Sequence, residues 1–491
     1  MNAYKNFTYR LTSFLLILTV IFSLCSVKNE VIVNADETWP AYPNIFAEAG
    51  ILMEASTGTI LYDKNSKEQM YPASITKILT TMIALEEGNM SDMVEYSHYD
   101  VYSLELGAAH ISRQEDELLS LKDTLYAVML ASANECANAA GAYIARKTDK
   151  YTQRISELES SGQNYDEGKV AIEVFAEIMN ERAKKAGAIS SNFCNPHGLF
   201  NENHYTTCYD MAMITRDAIK LDEFLKIEAD TSYVVPATNK NTETHPIANR
   251  HKMLFPLNAV YYEGILGGKT GYVDQSGNTL VTFAKRNGMT LISVVMKSNS
   301  SNVYNDTKIL LDYGFNNFNL SNISETETKF TFNNSNNNSN LNTVFDSDST
   351  LIKLSDEGNI VLPNNVTIED CTSELIFNDE QSQQYNNLFA HIDYYFNNIK
   401  VGGTDLLLDS SESDFTFGPS KIPAAEDTKD KDKYIDINIW ILLAVVVILI
   451  IIAGIIYYSR FIPNIRRTRR RRRRRNNNSF RYKKRNRFRR R

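Results

Sequence analysis

Ser74 and Lys77 stand three positions apart in the run Tyr71 to Leu85 (YPASITKILTTMIAL), where an apolar stretch begins. Residues three apart on a helix are neighbours. A serine hydroxyl becomes an effective nucleophile when a base takes its proton, and a desolvated lysine amine is such a base. The same residues also suit a plain helix start, with Ser74 as a cap and Lys77 in water. Ser-x-x-Lys alone does not separate the two readings. Two further patterns bear on the choice. Ser132 and Asn134, in Leu130-Ala-Ser-Ala-Asn134, lie in a helical region at a break before a new apolar stretch. Lys269-Thr270-Gly271 precedes a strand pair. Together these residues carry what acyl transfer needs: a nucleophile, a base, a hydroxyl relay and a cation for an anionic group.

The elements that must hold them can be read from periodicity. Pro72 with nearby Ser and Thr marks a helix start, and Ile75, Ile78, Leu79, Met82 and Leu85 recur at helical spacing, so the helix behind Ser74 is largely buried. Residues 50–55 and 59–62 flank a Ser56-Thr57-Gly58 turn and read as a hairpin. Residues 279–284 and 289–296 flank Asn287-Gly288, a strong hairpin signal. Between them the pattern is helical, clearest over 119–147 and 171–186. Strands, helices, then strands predict an α/β (α+β) domain in which N- and C-terminal hairpins close one antiparallel sheet and helices pack on it. Residues 326–408 read as a small all-β domain, with short runs at 328–332, 351–354, 360–362 and 375–377 and a polar loop over 333–342.

Both ends are specialised. Residues 1–35, with Lys5 and Arg10 ahead of an apolar run and Val33-Asn34-Ala35 before Asp36, read as a secretory signal peptide; an uncleaved anchor is the alternative. Residues 36–315 are the expected catalytic domain and 409–433 a polar linker. Residues 437–458 contain no charge and would span ~33 Å as a helix, enough for a bilayer. Seven consecutive arginines follow at 469–475, which places the 459–491 tail in the cytoplasm and everything before the span outside. The tail holds 18 of the 52 Lys and Arg residues and no acid, so the remainder carries 34 basic against 59 acidic residues. An acidic ectodomain is not built for polyanions. The tail serves as a topogenic anchor and suits anionic lipid or RNA. Cys136, Cys194, Cys208 and Cys371 show no Cys-x-x-Cys pair, so no zinc site or disulfide framework is expected; a Cys194–Cys208 bridge and isolated thiols both stay open.

Ser-x-x-Lys, Ser-x-Asn and Lys-Thr-Gly in this order resemble the low-molecular-mass penicillin-binding proteins, the serine D-alanyl-D-alanine carboxypeptidase family (peptidase family S11). Asn195-Pro-His-Gly-Leu199, His204 to Met211, Asn249-Arg250 and Ser276-Gly277 extend the likeness over residues 47–297. The resemblance implies a β-lactamase/transpeptidase-like fold with a helical lobe and a membrane-anchored peptidase. It also implies that Ser74 attacks the penultimate D-alanine carbonyl of a peptidoglycan stem peptide and that β-lactam antibiotics acylate it. Lys77 would take the serine proton, which requires a neutral amine; burial and Lys269 both favour that form. Ser132 would relay the proton, and Asn134 would hold Lys77 and a substrate amide. Lys269, Thr270 and Arg250 suit the substrate carboxylate, and Gly271 lets backbones approach closely. By the same likeness the N–H groups of Ser74 and Tyr272 form the oxyanion hole.

No cofactor is expected. His197 and His204 with Asp210 lack a zinc-motif spacing and read as hydrogen-bonding residues of the helical lobe. Residues 148–169 form a hydrophilic insertion relative to the family, taken as an inert surface loop in preference to a lid or partner site. Tyr272 is larger than the polar residue the family often carries there. Two alternatives stay open. The first is a β-lactamase, disfavoured by the tether, the extra domain and the lack of a deacylating Glu motif over 160–200. The second is a catalytically idle wall-binding scaffold, disfavoured by the intact set of Ser74, Lys77, Ser132, Asn134, Lys269 and Thr270.

Overall fold

The strand–helix–strand order folds as the periodicity predicts, around one antiparallel sheet. The computed structural model describes residues 39–327, 352–377 and 388–408. Strands β1 (Ala49–Glu54), β2 (Ile60–Lys64), β3 (Ile265–Val273), β4 (Gly277–Arg286) and β5 (Met289–Ser298) pair in the order β2-β1-β5-β4-β3. The first and last segments meet at the centre, where Ile51 pairs with Val294. Alternate side chains serve two different cores. Ile51, Met53, Val281, Phe283, Val294 and Met296 face the helical lobe. Leu52, Leu280, Ala284 and Val295 face the other side, with Leu310 and Leu311 of helix α8 (Val303–Asn317). A sheet covered on both faces explains why its strands read as nearly unbroken apolar runs. β3 is an edge strand, with Lys269 opposite Val281 and Gly271 opposite Thr279 on its one paired side.

The lobe is built from α1 (Lys77–Glu87), α2 (Leu121–Tyr126), α3 (Asn134–Arg146), α4 (Asp149–Ser161), α5 (Glu167–Lys185), α6 (Cys208–Ala218) and α7 (Asp222–Ala229). The single helical run expected over 119–147 is divided: a short strand at Leu118–Ser120, α2, a π-turn at Ala127–Ala131 and a left-handed Ser132 precede α3. That break is where Ser132 and Asn134 emerge. The inert loop expected within 148–169 is corrected to a helix. Thr148 caps it by accepting from Tyr151 N at 3.2 Å, and Tyr151, Ile155 and Leu158 pack on the lobe core. Arg154 pairs with Glu177 at 2.9 Å. Those three apolar residues form an i, i+4, i+7 stripe that the surrounding polar residues obscure.

A second sheet follows: β6 (Phe318–Asn322), β7 (Ile352–Leu354), β8 (Asn359–Pro363), β9 (Thr372–Ile376), β10 (Leu388–Phe396) and β11 (Ile399–Leu408), ordered β6-β8-β11-β10-β9 with β7 on β11. Its longest strands, β10 and β11, turn at Asn397-Asn398, both with positive φ (52° and 62°), the torsions of a tight hairpin turn. Trp39 stacks edge-on against Phe318 at 5.1 Å and lies near Phe396, bridging the two sheets' cores. Cys194 and Cys208 are free thiols. Among the described residues no helix is long and apolar enough to cross a membrane. The expected signal segment (1–35), the run at 328–332, the loop at 333–342, the linker (409–433), the span (437–458) and the tail (459–491) lie outside the described residues.

Candidate active site

The nucleophile candidate sits on the turn that leads into α1, pressed between β3 and the 195–199 loop. Ala73 has φ 52° and Ser132 φ 60°; non-glycine residues so held cost of order 1–3 kcal/mol each and need surroundings that enforce them. At Ala73 the enforcement is visible. Thr279 Oγ1 donates to Pro72 O at 2.8 Å, and Gly198 lies so close that a Cβ there would be 1.9 Å from the Ala73 carbonyl oxygen. Gly198, at φ 84°, is therefore required twice over.

Lys77 is fully buried. Its Nζ lies 2.9 Å from Ser74 Oγ, 2.7 Å from Asn134 Oδ1 and 2.7 Å from the His197 carbonyl oxygen. Burial pushes the amine well below the usual lysine range, and Lys269 and Arg250 push the same way against an opposing Glu135. A neutral amine has two N–H donors and one lone pair. Asn134 and His197 take the donors, leaving the lone pair for the Ser74 hydroxyl proton. That is the arrangement of a base against a nucleophile.

Lys269, also buried, donates from Nζ to Ser132 Oγ at 3.0 Å and to Thr270 O at 2.9 Å. Burial lowers its pKa and Glu228 opposes that shift; Glu228 in turn is raised by burial and opposed by Lys269. Ser132 is thus held by Lys269, and the structure forms two contact groups, Ser74–Lys77–Asn134 and Ser132–Lys269, with the Lys269 charge acting on Lys77. Thr270 and Gly271 lie beside them on β3. A Cβ on Gly271 would stand 2.9 Å from Ser74 N and 2.3 Å from Thr279 Oγ1. Arg250 is exposed on the same side: its backbone N donates to Leu130 O at 3.2 Å, and its charge acts on both buried lysines. Tyr272 is largely exposed, its hydroxyl turned to Asp274.

The surrounding motifs act through backbone. Gly198 N donates to Asn195 Oδ1 at 2.7 Å and Thr80 Oγ1 to Pro196 O at 2.6 Å, which straps the loop carrying the His197 carbonyl onto α1. His204 Nδ1 accepts from Cys194 N at 3.0 Å, so its other nitrogen carries the proton and donates to Thr76 Oγ1 at 2.9 Å. Burial and Lys77 depress its pKa to about 3. Asp210 accepts from Ser190 N at 2.8 Å and Ser191 Oγ at 2.6 Å. Among the described residues no cluster of His, Cys, Asp and Glu has a metal site's arrangement.

Several supporting residues carry no sequence signal. Glu228 accepts from Gly268 N at 2.7 Å. His251 Nε2 contacts Thr282 Oγ1 at 2.7 Å behind the Lys-Thr-Gly strand. Glu135 accepts from Ile111 N at 2.6 Å, and Asn134 N donates to Ala109 O at 2.8 Å, tying a loop to the start of α3. Each looks like an ordinary surface acid or loop histidine until the fold buries it.

The family model for D-alanyl-D-alanine carboxypeptidase matches residues 36–157 and 170–300, and its gap falls at the end of α4 and the turn into α5. D-alanyl-D-alanine carboxypeptidase DacF of Bacillus subtilis is 28% identical over 279 residues, 55% of this chain and 63% of that protein. DacA of Haemophilus influenzae is 28% identical over 284 residues, 56% of this chain and 63% of that protein. The matched stretch thus spans a little under two thirds of these relatives. Two solved structures share the fold. Penicillin binding protein 5 from Haemophilus influenzae has a TM-score of 0.55 at 23% identity, over 75% of this chain and 98% of that one. Penicillin binding protein 6B from Escherichia coli has a TM-score of 0.52 at 21% identity, over 75% and 97%. With more than half of its residues matched and the three motifs gathered at one cleft, the chain belongs to the D-alanyl-D-alanine carboxypeptidase family.

Proposed function

We propose that this protein is a serine-type D-alanyl-D-alanine carboxypeptidase of the cell wall. Lys77 takes the Ser74 proton as Ser74 Oγ attacks the penultimate D-alanine carbonyl of a peptidoglycan stem peptide. The amide C–N bond breaks, and the departing D-alanine amine receives a proton through Ser132, which Lys269 holds in place. Water then cleaves the acyl-enzyme. Lys269, Thr270 and Arg250 attract the terminal carboxylate, and the N–H groups of Ser74 and Tyr272 stabilise the oxyanion. A β-lactam reacts through the same serine and stalls as the acyl adduct.

The carrying observation is the contact of a fully buried lysine amine with Ser74 Oγ at 2.9 Å, its two other neighbours both being acceptors. The N-terminal signal pattern, the uncharged 437–458 run and the arginine tail support a single-pass protein with its catalytic domain outside the cell membrane, followed by a separate β domain. The basic tail is proposed to lie on anionic lipid of the inner leaflet.

The test is the intact mass of the full-length protein after exposure to penicillin, with Ser74→Ala as control and D-alanine release as the second assay. One stable adduct on Ser74, absent from the variant, together with D-alanine release supports the reading. An adduct that forms and vanishes within seconds points to a β-lactamase. A folded protein that forms no adduct and releases no D-alanine is a scaffold.

A further inference from the structure

Beneath the Lys269-Thr270-Gly271 strand lies an acid that the reaction above leaves unused. Glu228, near the C-terminus of α7, is 1% exposed, and its Oε2 accepts from Gly268 N at 2.7 Å. A Cβ on Gly267 would lie 2.5 Å from Glu228 Cβ and 3.0 Å from Oε2, so the glycine makes room for the acid. Gly267 stands opposite Phe283 and Lys269 opposite Val281. Both partners face the helical lobe, and positions two apart on a strand share a face. Glu228 therefore lies on the face of β3 from which the Lys269 side chain projects. Asn249 fixes it there: Nδ2 donates to Glu228 O at 3.4 Å and to Asp230 O at 3.1 Å, and Oδ1 accepts from His251 N at 2.9 Å.

The reaction asks opposite things of two buried lysines. Lys77 has to be a free amine to take the Ser74 proton. Lys269 has to be an ammonium, whose three donors serve Ser132 Oγ, Thr270 O and the substrate carboxylate. Burial disfavours the charge on both, and Arg250 acts on both in the same sense. The difference lies in the acids. Among the charges acting on Lys77 the strongest is Lys269, which disfavours its ammonium, and Glu135 comes after it. Among those acting on Lys269 the strongest is Glu228, which favours its ammonium. The other ionisable groups about Glu228 are turned elsewhere. His251 lies on the far face of β3 against Thr282, kept neutral by burial, with its pKa pushed down to about 4. Asp230 is exposed and accepts from the Tyr126 hydroxyl at 2.8 Å.

We propose that Glu228 is a positioning residue that decides which of the two buried lysines carries the charge. Its carboxylate is the counter-ion that keeps Lys269 an ammonium, so that Lys77 is the one left as the free amine. The inference rests on the carboxypeptidase reading.

The experiment follows kcat/KM against pH for the full-length protein on a peptide ending in D-Ala-D-Ala whose amines are acetylated, so that only the enzyme titrates. Glu228→Gln keeps the volume and an oxygen for Gly268 N but removes the charge. Its alkaline limb moves to lower pH by about one unit or more, the effect of one lost charge partner, which reads as about a tenfold loss on that side of the profile. The acid limb, set by Lys77, stays, and Glu228→Asp returns the alkaline limb toward the wild-type position. Melting curves establish that the variants fold. An alkaline limb unmoved in Glu228→Gln, or moved equally in Glu228→Asp, makes Glu228 a structural residue and overturns the proposal while D-alanine release still upholds the carboxypeptidase. If Glu228→Gln does not fold, infrared spectra of wild type carrying ¹³C-labelled glutamate decide, with Glu228 assigned by the band lost in Glu228→Asp: an ionised carboxylate at neutral pH supports the counter-ion and a protonated carboxyl overturns it. A wild type that releases no D-alanine overturns the carboxypeptidase reading and this inference with it.

Discussion

Gly271→Ala adds one methyl group where the nucleophile turn meets β3. The new Cβ would stand 2.3 Å from Thr279 Oγ1, 2.9 Å from Ser74 N and 3.0 Å from Pro72 O. Ordinary carbon contacts begin near 3.4 Å, so Ser74 N must retreat by ~0.5 Å and the threonine oxygen by ~1 Å. Thr279 can turn away, but it then gives up its bond to Pro72 O, one of the contacts that hold Ala73 in its left-handed conformation. Overpacking of this kind costs about 1–3 kcal/mol of stability. The rate suffers more, because a shift of about 1 Å in a reacting group lowers it roughly 10²-fold. Acylation by a fluorescent penicillin, followed by stopped flow beside a thermal melt, separates the two effects. In Gly271→Ala/Thr279→Ala the oxygen clash is gone while the contact with Ser74 N stays, so the melting temperature recovers in part and acylation remains slow. The reasoning is refuted if Gly271→Ala acylates within threefold of wild type, or if the double variant regains the full rate.

Lys269 helps keep the Lys77 amine neutral, so Lys269→Met lets the Lys77 pKa rise; the acid limb of the acylation-rate profile then moves to higher pH, and an unmoved limb refutes the coupling. His204 is held near pKa 3 in the fold against about 6.5 unfolded, so the unfolded chain binds the extra proton between those values. Its contribution is complete above pH 6.5 and lost as pH falls toward 3, about 3–5 kcal/mol in all. Urea melts across that window show a flatter pH dependence in His204→Gln, at a lower stability near pH 7. Arg154→Ala removes a half-exposed pair from α4; it changes stability by less than about 1 kcal/mol and leaves penicillin acylation alone, and a large loss of acylation would make α4 part of the active site.

What the chain discloses without its fold follows from how local each determinant is. Ser74–Lys77, Ser132–Asn134 and Lys269–Gly271 are each confined to a few residues, so spacing alone exposes them. The two hairpins of the main sheet are local as well, through Thr57-Gly58 and Asn287-Gly288. Glu228 and His251 act through partners 40 and 31 residues away, and nothing near them in the chain marks either as buried. The division of 119–147 escapes periodicity because its π-turn keeps the same apolar residues and alters only their phase. Helix α4 was masked by its own solubility, since three apolar contacts among thirteen residues read as a polar loop. The β10–β11 hairpin mixes His391, Asp393 and Asp405 into its faces, with His391 Nε2 3.0 Å from Asp393, which breaks the alternation that reveals a half-buried strand.

The unpaired side of β3 has a consequence for the protein's solution behaviour. A strand whose outer N–H and C=O groups stay free for an incoming peptide is equally a template for a strand of another chain. Two features narrow the exposed window. The pairing of β3 is irregular between Ile265 and Gly267, which bends its entry, and the Ala73–Thr76 turn lies against its middle, where a Gly271 Cβ would meet Pro72 and Ser74. What remains is a gap a few residues long beside a positive cleft. A chain must present an extended segment ending in a carboxylate to occupy it well, and interior strands of a neighbouring molecule lack that end. The geometry that selects a peptide terminus thus also limits self-association and aggregation at the same edge.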